Sequence, residues 1–147
     1  MSFPSYRSCR GFTLIEIMVV VVILGILAAM IVPRLLSRPD MAKVTKAKID
    51  IKGIEESLGL FKLDNGFYPS TEQGLQALVT KPETGRIPTR YSVEGYLKKV
   101  PVDPWNKPYI YISPGVNSID FDIISHGSDN EPGGEGFAAD INSWEIE

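Results

Sequence analysis

Residues 12–32 form a run of 21 positions with one charged side chain, Glu16. The stretch MVVVVILGILAAMIV (18–32) is too apolar to face water on any side. As a helix rising about 1.5 Å per residue, the run would span about 31 Å, close to the roughly 30 Å of a bilayer's hydrocarbon core. A cleavable secretory signal has a shorter apolar region of about 7–15 residues and a small-x-small site after it, and Ala28-Ala29 does not form a convincing one. A plain anchor fits the length but gives Glu16 no reason to be there. An acidic residue in such a span needs a partner.

Pro33 stands at the end of the run. It either bends a continuing helix or ends it, leaving a short loop over 33–40 before a second helix, with Pro39-Asp40 as a boundary. Over 41–63 a helical period returns. Val44, Ile51, Ile54, Leu58 and Phe61 share one stripe, which is read as core. Asn65-Gly66 supplies a stop. Beyond it, Ser70 or Thr71 is expected to cap a short helix over 72–79, and 81–91 reads as a loop. Asp103-Pro104-Trp105 reads as a turn with a core tryptophan. Tyr109–Ile112 and Phe121–Ile124 are strand candidates of a small antiparallel sheet.

Charge is unevenly placed on this chain of 147 residues and formal net charge −3. Residues 34–52 carry six basic side chains, and residues 110–147 carry eight acids with no Lys or Arg. Unlike patches on one small chain suit head-to-tail self-association; two solvated surfaces are the plainer reading. Cys9 is the one cysteine, so no intrachain disulfide can form. His126 is the one histidine and has no nucleophile constellation around it, and no glycine-rich phosphate loop is present. No catalytic residue is expected, and no nucleic-acid partner.

The segment 125–140 holds four acids and four glycines without a basic residue. Glycines permit tight curvature that converges carbonyl oxygens, and calcium takes six to eight oxygen ligands from flexible loops. The spacing is not that of an EF-hand, so a metal loop and a solvated acidic loop both remain open.

The string Gly11-Phe12-Thr13-Leu14-Ile15-Glu16, after a leader bearing Arg7 and Arg10, resembles the processing site of type IV prepilins and pseudopilins. The resemblance implies cleavage between Gly11 and Phe12, N-methylation of Phe12, and an assembly role for Glu16. A carboxylate in an apolar filament core needs a counter-ion, and the Phe12 amine of a neighbouring subunit can be one. Lys62-Leu63-Asp64-Asn65-Gly66, Thr71-Glu72-Gln73-Gly74-Leu75, Asp103-Pro104-Trp105 and the acidic tail further resemble the major pseudopilins of the type II secretion system.

That family implies a pilin-like α+β fold. Its parts would be a leader (1–11), a membrane or filament-core helix (12–32), an amphipathic continuation (33–63), and a globular domain (64–147) with a calcium loop at 125–140. The implied ligands of Ca2+ are Asp129 and Asp140, the main-chain carbonyls of His126 and Glu131, and Glu135 or water to complete the set, since Ala138 stands where many relatives carry an aspartate. The implied function is a non-enzymatic subunit, anchored by a single pass in the bacterial inner membrane with its carboxy-terminal domain in the periplasm. It would polymerise with itself into a periplasmic pseudopilus that helps push folded proteins across the outer membrane. Implied partners are minor pseudopilins, a prepilin peptidase, an inner-membrane assembly platform and the lipid of that membrane. The alternative is the major subunit of a surface type IV pilus.

Overall fold

The structure, a computed structural model, describes residues 11–36 and 38–146, with side chains described outside 30–39. Residues 1–10, with Arg7, Cys9 and Arg10, which make up most of the expected leader 1–11, lie outside the described residues, as does Glu147. The chain divides into two compact units, 1–38 and 39–147.

The first unit is a helix, α1 (Leu14–Leu36), of 23 residues. Its backbone stays helical through Pro33 to Leu36, so of the two readings the helix continues past the proline rather than ending there. Proline deletes only one hydrogen bond, and the leucines that follow it favour the helix. The described apolar side chains, Leu14 to Leu27, are each about half or more exposed, from 49% at Leu27 to 78% at Leu14. A helix whose described side chains are apolar all round and exposed needs lipid or other protein around it. Among the described residues, no helix is long and apolar enough to cross a membrane; the described side chains of α1 stop at Ala29.

The second unit is built on α2 (Arg38–Asn65), with Pro39 in its first turn, where a missing N–H is tolerated. It ends as expected: Gly66 has φ +79° and donates its N–H to the Lys62 carbonyl at 2.7 Å. Its apolar stripe is the core. Ile51, Ile54, Leu58 and Phe61 are at most 1% exposed, with Ala47 beside them and Val44 partly buried. Fully burying each large side chain contributes about 1.5–3 kcal/mol. The Phe61 ring sits at the far end of the stripe, edge-on to Phe67 at 5.7 Å and tilted against Tyr96 at 5.3 Å.

Against this stripe lies a three-stranded antiparallel sheet in the order β1 (Ile110–Ile112), β2 (Asp122–Ser125), β3 (Ile141–Asn142). Register places Tyr111 opposite Ile123 and Ser125 opposite Ile141. By the two-residue strand period, these side chains and Tyr109 share the inner face, and all are buried. The expected strands therefore form, each beginning one residue later, and β3 is an addition. The expected helix over 72–79 is a 3-10 turn at Leu75–Leu78. Ser70 and Gln73 brace the turn before it, the Gln73 N–H donating to Ser70 Oγ and the Ser70 N–H to Gln73 Oε1. Gly74, at φ +59°, interrupts what would have been a longer α-helix.

Candidate functional site

Two regions carry the residues singled out above. At the start of α1, Thr13 and Glu16 cap each other. The Glu16 N–H donates to Thr13 Oγ1 at 3.3 Å, while Glu16 Oε2 accepts from the Thr13 N–H at 3.0 Å and from its hydroxyl at 3.1 Å. This is a capping box, in which two otherwise unpaired N–H groups at a helix start are satisfied reciprocally. The Thr-x-x-Glu spacing announces it in the sequence, although the reading above assigned Glu16 to assembly alone. Gly11 and Phe12 precede the helix and are exposed, Phe12 at 83%. A bond in exposed backbone without regular secondary structure, just before a capped helix, is accessible to a peptidase.

The second region is the loop 126–140, between β2 and β3. Its base is closed by Asp140. Asp140 Oδ1 lies 2.9 Å from His126 Nδ1, and Oδ2 accepts the Gly133 N–H at 2.9 Å. The Asp140 N–H donates to the Gly133 carbonyl at 3.0 Å, and the Ser128 N–H to the Phe137 carbonyl at 3.1 Å. Asp129 turns its own loop, accepting the Glu131 N–H on Oδ1 at 3.2 Å. Two glycines make the closure possible. Gly127 (φ +62°) passes so near the 137–139 segment of the loop that an added Cβ would lie 2.8 Å from the Ala139 carbonyl oxygen. At Gly134 (φ +79°) a Cβ would run into the Ala138 carbonyl oxygen.

Asp140 and His126 are thus brought together, while Asp129, Glu131 and Glu135 sit exposed along the outer loop. Among the described residues, no three His, Cys, Asp or Glu side chains converge on one point. A cation here would have to draw on main-chain carbonyls as well as carboxylates. The donor chemistry fits calcium: the available groups are hard oxygens in a glycine-curved loop, with no thiol. Asp129, Asp140 and Glu135 would supply the side-chain oxygens, and His126 and Glu131 the carbonyls.

The tail after the loop is tied to the rest of the domain. The Ile123 N–H donates to Ser143 Oγ at 3.0 Å, and Lys52 Nζ to the Ile146 carbonyl at 3.0 Å. Sequence reasoning missed both ties, because neither residue pair is near in sequence and neither belongs to a motif.

An apolar capped helix, and a second helix packed on a three-stranded antiparallel sheet, together define a pilin-like α+β subunit. Residues 6–32 match the prokaryotic N-terminal methylation motif, and residues 34–144 match the family described as Type II secretion system (T2SS), protein G. The chain belongs to this type II secretion protein G family. A type II secretion system core protein G of Pseudomonas aeruginosa is 58% identical over 139 residues, covering 95% of this chain and 97% of the relative. That of Vibrio cholerae is 50% identical over 141 residues, covering 96% and 95%. The crystal structure of the major pseudopilin from the type 2 secretion system of enterohaemorrhagic Escherichia coli aligns with a TM-score of 0.66 at 41% identity, covering 76% of this chain and 95% of that one.

Proposed function

We infer that this chain is the repeating structural subunit of a type II secretion pseudopilus. The observation that carries the reading is α1. Its apolar side chains are exposed on all sides of the helix and opened by Glu16, the pattern of a segment that exchanges lipid for identical neighbours. Membership of the protein G family makes the surface-pilus alternative the weaker one.

In the mechanism, the leader is removed between Gly11 and Phe12 and the new Phe12 amine is methylated. The subunit waits in the inner membrane by a single pass, with residues 39–147 in the periplasm. On assembly α1 leaves lipid for the filament core, and Glu16 of one subunit meets the Phe12 amine of another. Each charge would be costly there alone, and their pairing makes docking depend on both. Prepilin peptidase, minor pseudopilins and an inner-membrane assembly platform are the partners this sequence of events requires. The role is scaffolding, with no catalytic step assigned to any residue.

Calcium is the second part of the proposal. Held by Asp129, Asp140, the carbonyls of His126 and Glu131, and Glu135 or water, it would offset two of the loop's four negative charges and fix its curvature. In a small domain without a disulfide such a clasp adds stability directly.

The test is complementation of a strain that has a type II system but lacks its own protein G. Wild-type chain should restore secretion and yield sedimentable filaments, and Gly11→Asp should accumulate as unprocessed precursor. Processed wild-type protein that neither polymerises nor restores secretion would sink the reading.

A further inference from the structure

We propose that a groove lined by Lys43, Lys46 and Lys99 receives the acidic carboxy-terminal loop of a second copy of this chain, so that α2 carries the two halves of one contact on opposite flanks. The proposal rests on the polymer reading above and specifies which surfaces meet.

The groove has a volume of about 500 Å³, and Asp50, Pro101 and Asn106 complete its walls. Its charge is set by the lysines. Asp50 is partly buried, pairs with Lys46, and accepts the Tyr109 hydroxyl at 3.2 Å. Asp103, also at the groove, is 3% exposed and spends its carboxylate inward, on Ser125 and on the N–H groups of Trp105 and Lys107. Lys43 and Lys99 have no ion-pair partner among the described residues. The groove therefore presents net positive charge in a concave surface, where a carboxylate gains from several cations at once.

The other half lies across the helix. At about 100° per residue, Lys43, Lys46 and Asp50 occupy one side of the core stripe, and Val44 and Lys48 the other, roughly 150° away. Val44 and Lys48 form a cleft with Asp140, Asn142 and Glu145, which places the carboxy-terminal loop and tail on that second side, along the same turns of α2 as the groove. Lys52 is engaged there by the Ile146 carbonyl. On the loop Asp129, Glu131 and Glu135 are exposed, and so is Glu145 on the tail. No Lys or Arg occurs from 110 to 147.

A basic groove on one flank and an acidic loop on the other, at the same level, cannot satisfy each other within one chain. They can do so between copies placed side by side. Such a contact is heterologous: each copy uses a different face toward each neighbour, so repetition extends into a ring or an open helical array rather than stopping at a closed dimer, and the open array is the one the polymer reading requires. The groove and the exposed loop are opposite in sign, which favours a defined register between copies.

The experiment is charge reversal and exchange in the complemented strain, reading sedimentable filament per unit of processed protein. Lys46→Glu with Lys99→Glu should lower filament yield about tenfold, and so should Glu131→Lys with Glu145→Lys. The four changes combined should bring assembly back to within about twofold of wild type. Unchanged assembly in either double variant would overturn the proposal. So would failure of the combined variant to recover while its circular dichroism remains that of a folded domain. Failure of the wild-type chain to polymerise at all would instead strike the polymer reading on which the proposal rests.

Discussion

Ser125 Oγ donates a hydrogen bond of 2.8 Å to Asp103 Oδ2, and both residues are buried, at 1% and 3% exposure. The bond joins β2 to the Asp103–Lys107 turn. Asp103 Oδ1 meanwhile accepts the N–H groups of Trp105 at 3.0 Å and Lys107 at 2.8 Å. One buried carboxylate thus shapes the turn and fastens it to the sheet. Asp103→Ala would leave the Ser125 hydroxyl and the two N–H groups without that acceptor. Unsatisfied buried groups cost about 1–3 kcal/mol each, less whatever water recovers. Thermal unfolding should register a loss of several kcal/mol for Asp103→Ala, and a smaller one for Ser125→Ala. Equal stability of Asp103→Ala and wild type would contradict this role.

Asp122 holds the β1–β2 connection in the same manner. It is fully buried, and its carboxylate accepts the N–H groups of Val116, Asn117 and Ser118, each at 2.8 Å. Burial by itself raises its pKa, and these N–H groups outweigh that, leaving the carboxyl below the ordinary 3.8. A lowered folded-state value means the ionised form stabilises the fold. That contribution is complete above about pH 4 and is lost as pH falls through the lower folded value. Asp122→Asn should cost about 1.5–3 kcal/mol at neutral pH and flatten the acid limb of a stability-against-pH curve. An unaltered acid limb would refute the assignment.

Glu16 has two roles that one substitution separates. Glu16→Gln keeps an acceptor for the Thr13 N–H, and with it the capping box, but removes the charge. Glu16→Ala removes both. If neutralising the Phe12 amine is what assembly needs, both variants should stop filament formation by at least about tenfold, with helicity in detergent kept by Gln. Filaments formed efficiently by Glu16→Gln would reduce Glu16 to a helix cap.

Calcium should raise the unfolding temperature of the detergent-solubilised chain, and chelator should lower it. At a free concentration of about 100 times the dissociation constant, the gain is about 2.7 kcal/mol. Asp129→Ala should abolish the difference. Gly134→Ala should lower stability with or without the ion, because Gly134 lies at φ +79° and its Cβ would meet the Ala138 carbonyl. Identical midpoints in calcium and chelator for the wild type would eliminate the clasp.

Much of the fold is legible in the sequence. Ile51, Ile54, Leu58 and Phe61 announce the buried face of α2 by spacing alone, because a helix repeats its face every 3.6 residues. Asn65-Gly66 announces the end of α2 through glycine's freedom at positive φ. Strands β1 and β2 show as short apolar runs between turn residues. By contrast β3, two residues long, has no room for a period. The turn at Leu75–Leu78 is shortened by a backbone angle at Gly74 that no side-chain pattern records.

The candidate site divides along the same line. The capping box at Thr13 and Glu16 is carried by the Thr-x-x-Glu spacing, since it depends on neighbours within one helical turn, even though the sequence reading gave Glu16 an assembly role instead. The loop 126–140 is visible in sequence only as a concentration of acid and glycine. Tertiary structure decided that Asp140 closes it onto His126 and Gly133, that Asp129 stays on its outer side, and that the tail is pinned to Lys52. It also decided that the lysines near the start of α2 and the acids of the tail flank that helix on opposite sides. The reason is physical: short-range periodicity and backbone preference are properties of a segment, whereas hydrogen bonds spanning 14 residues, as His126 to Asp140, or 94, as Lys52 to Ile146, exist only once packing has brought the segments together.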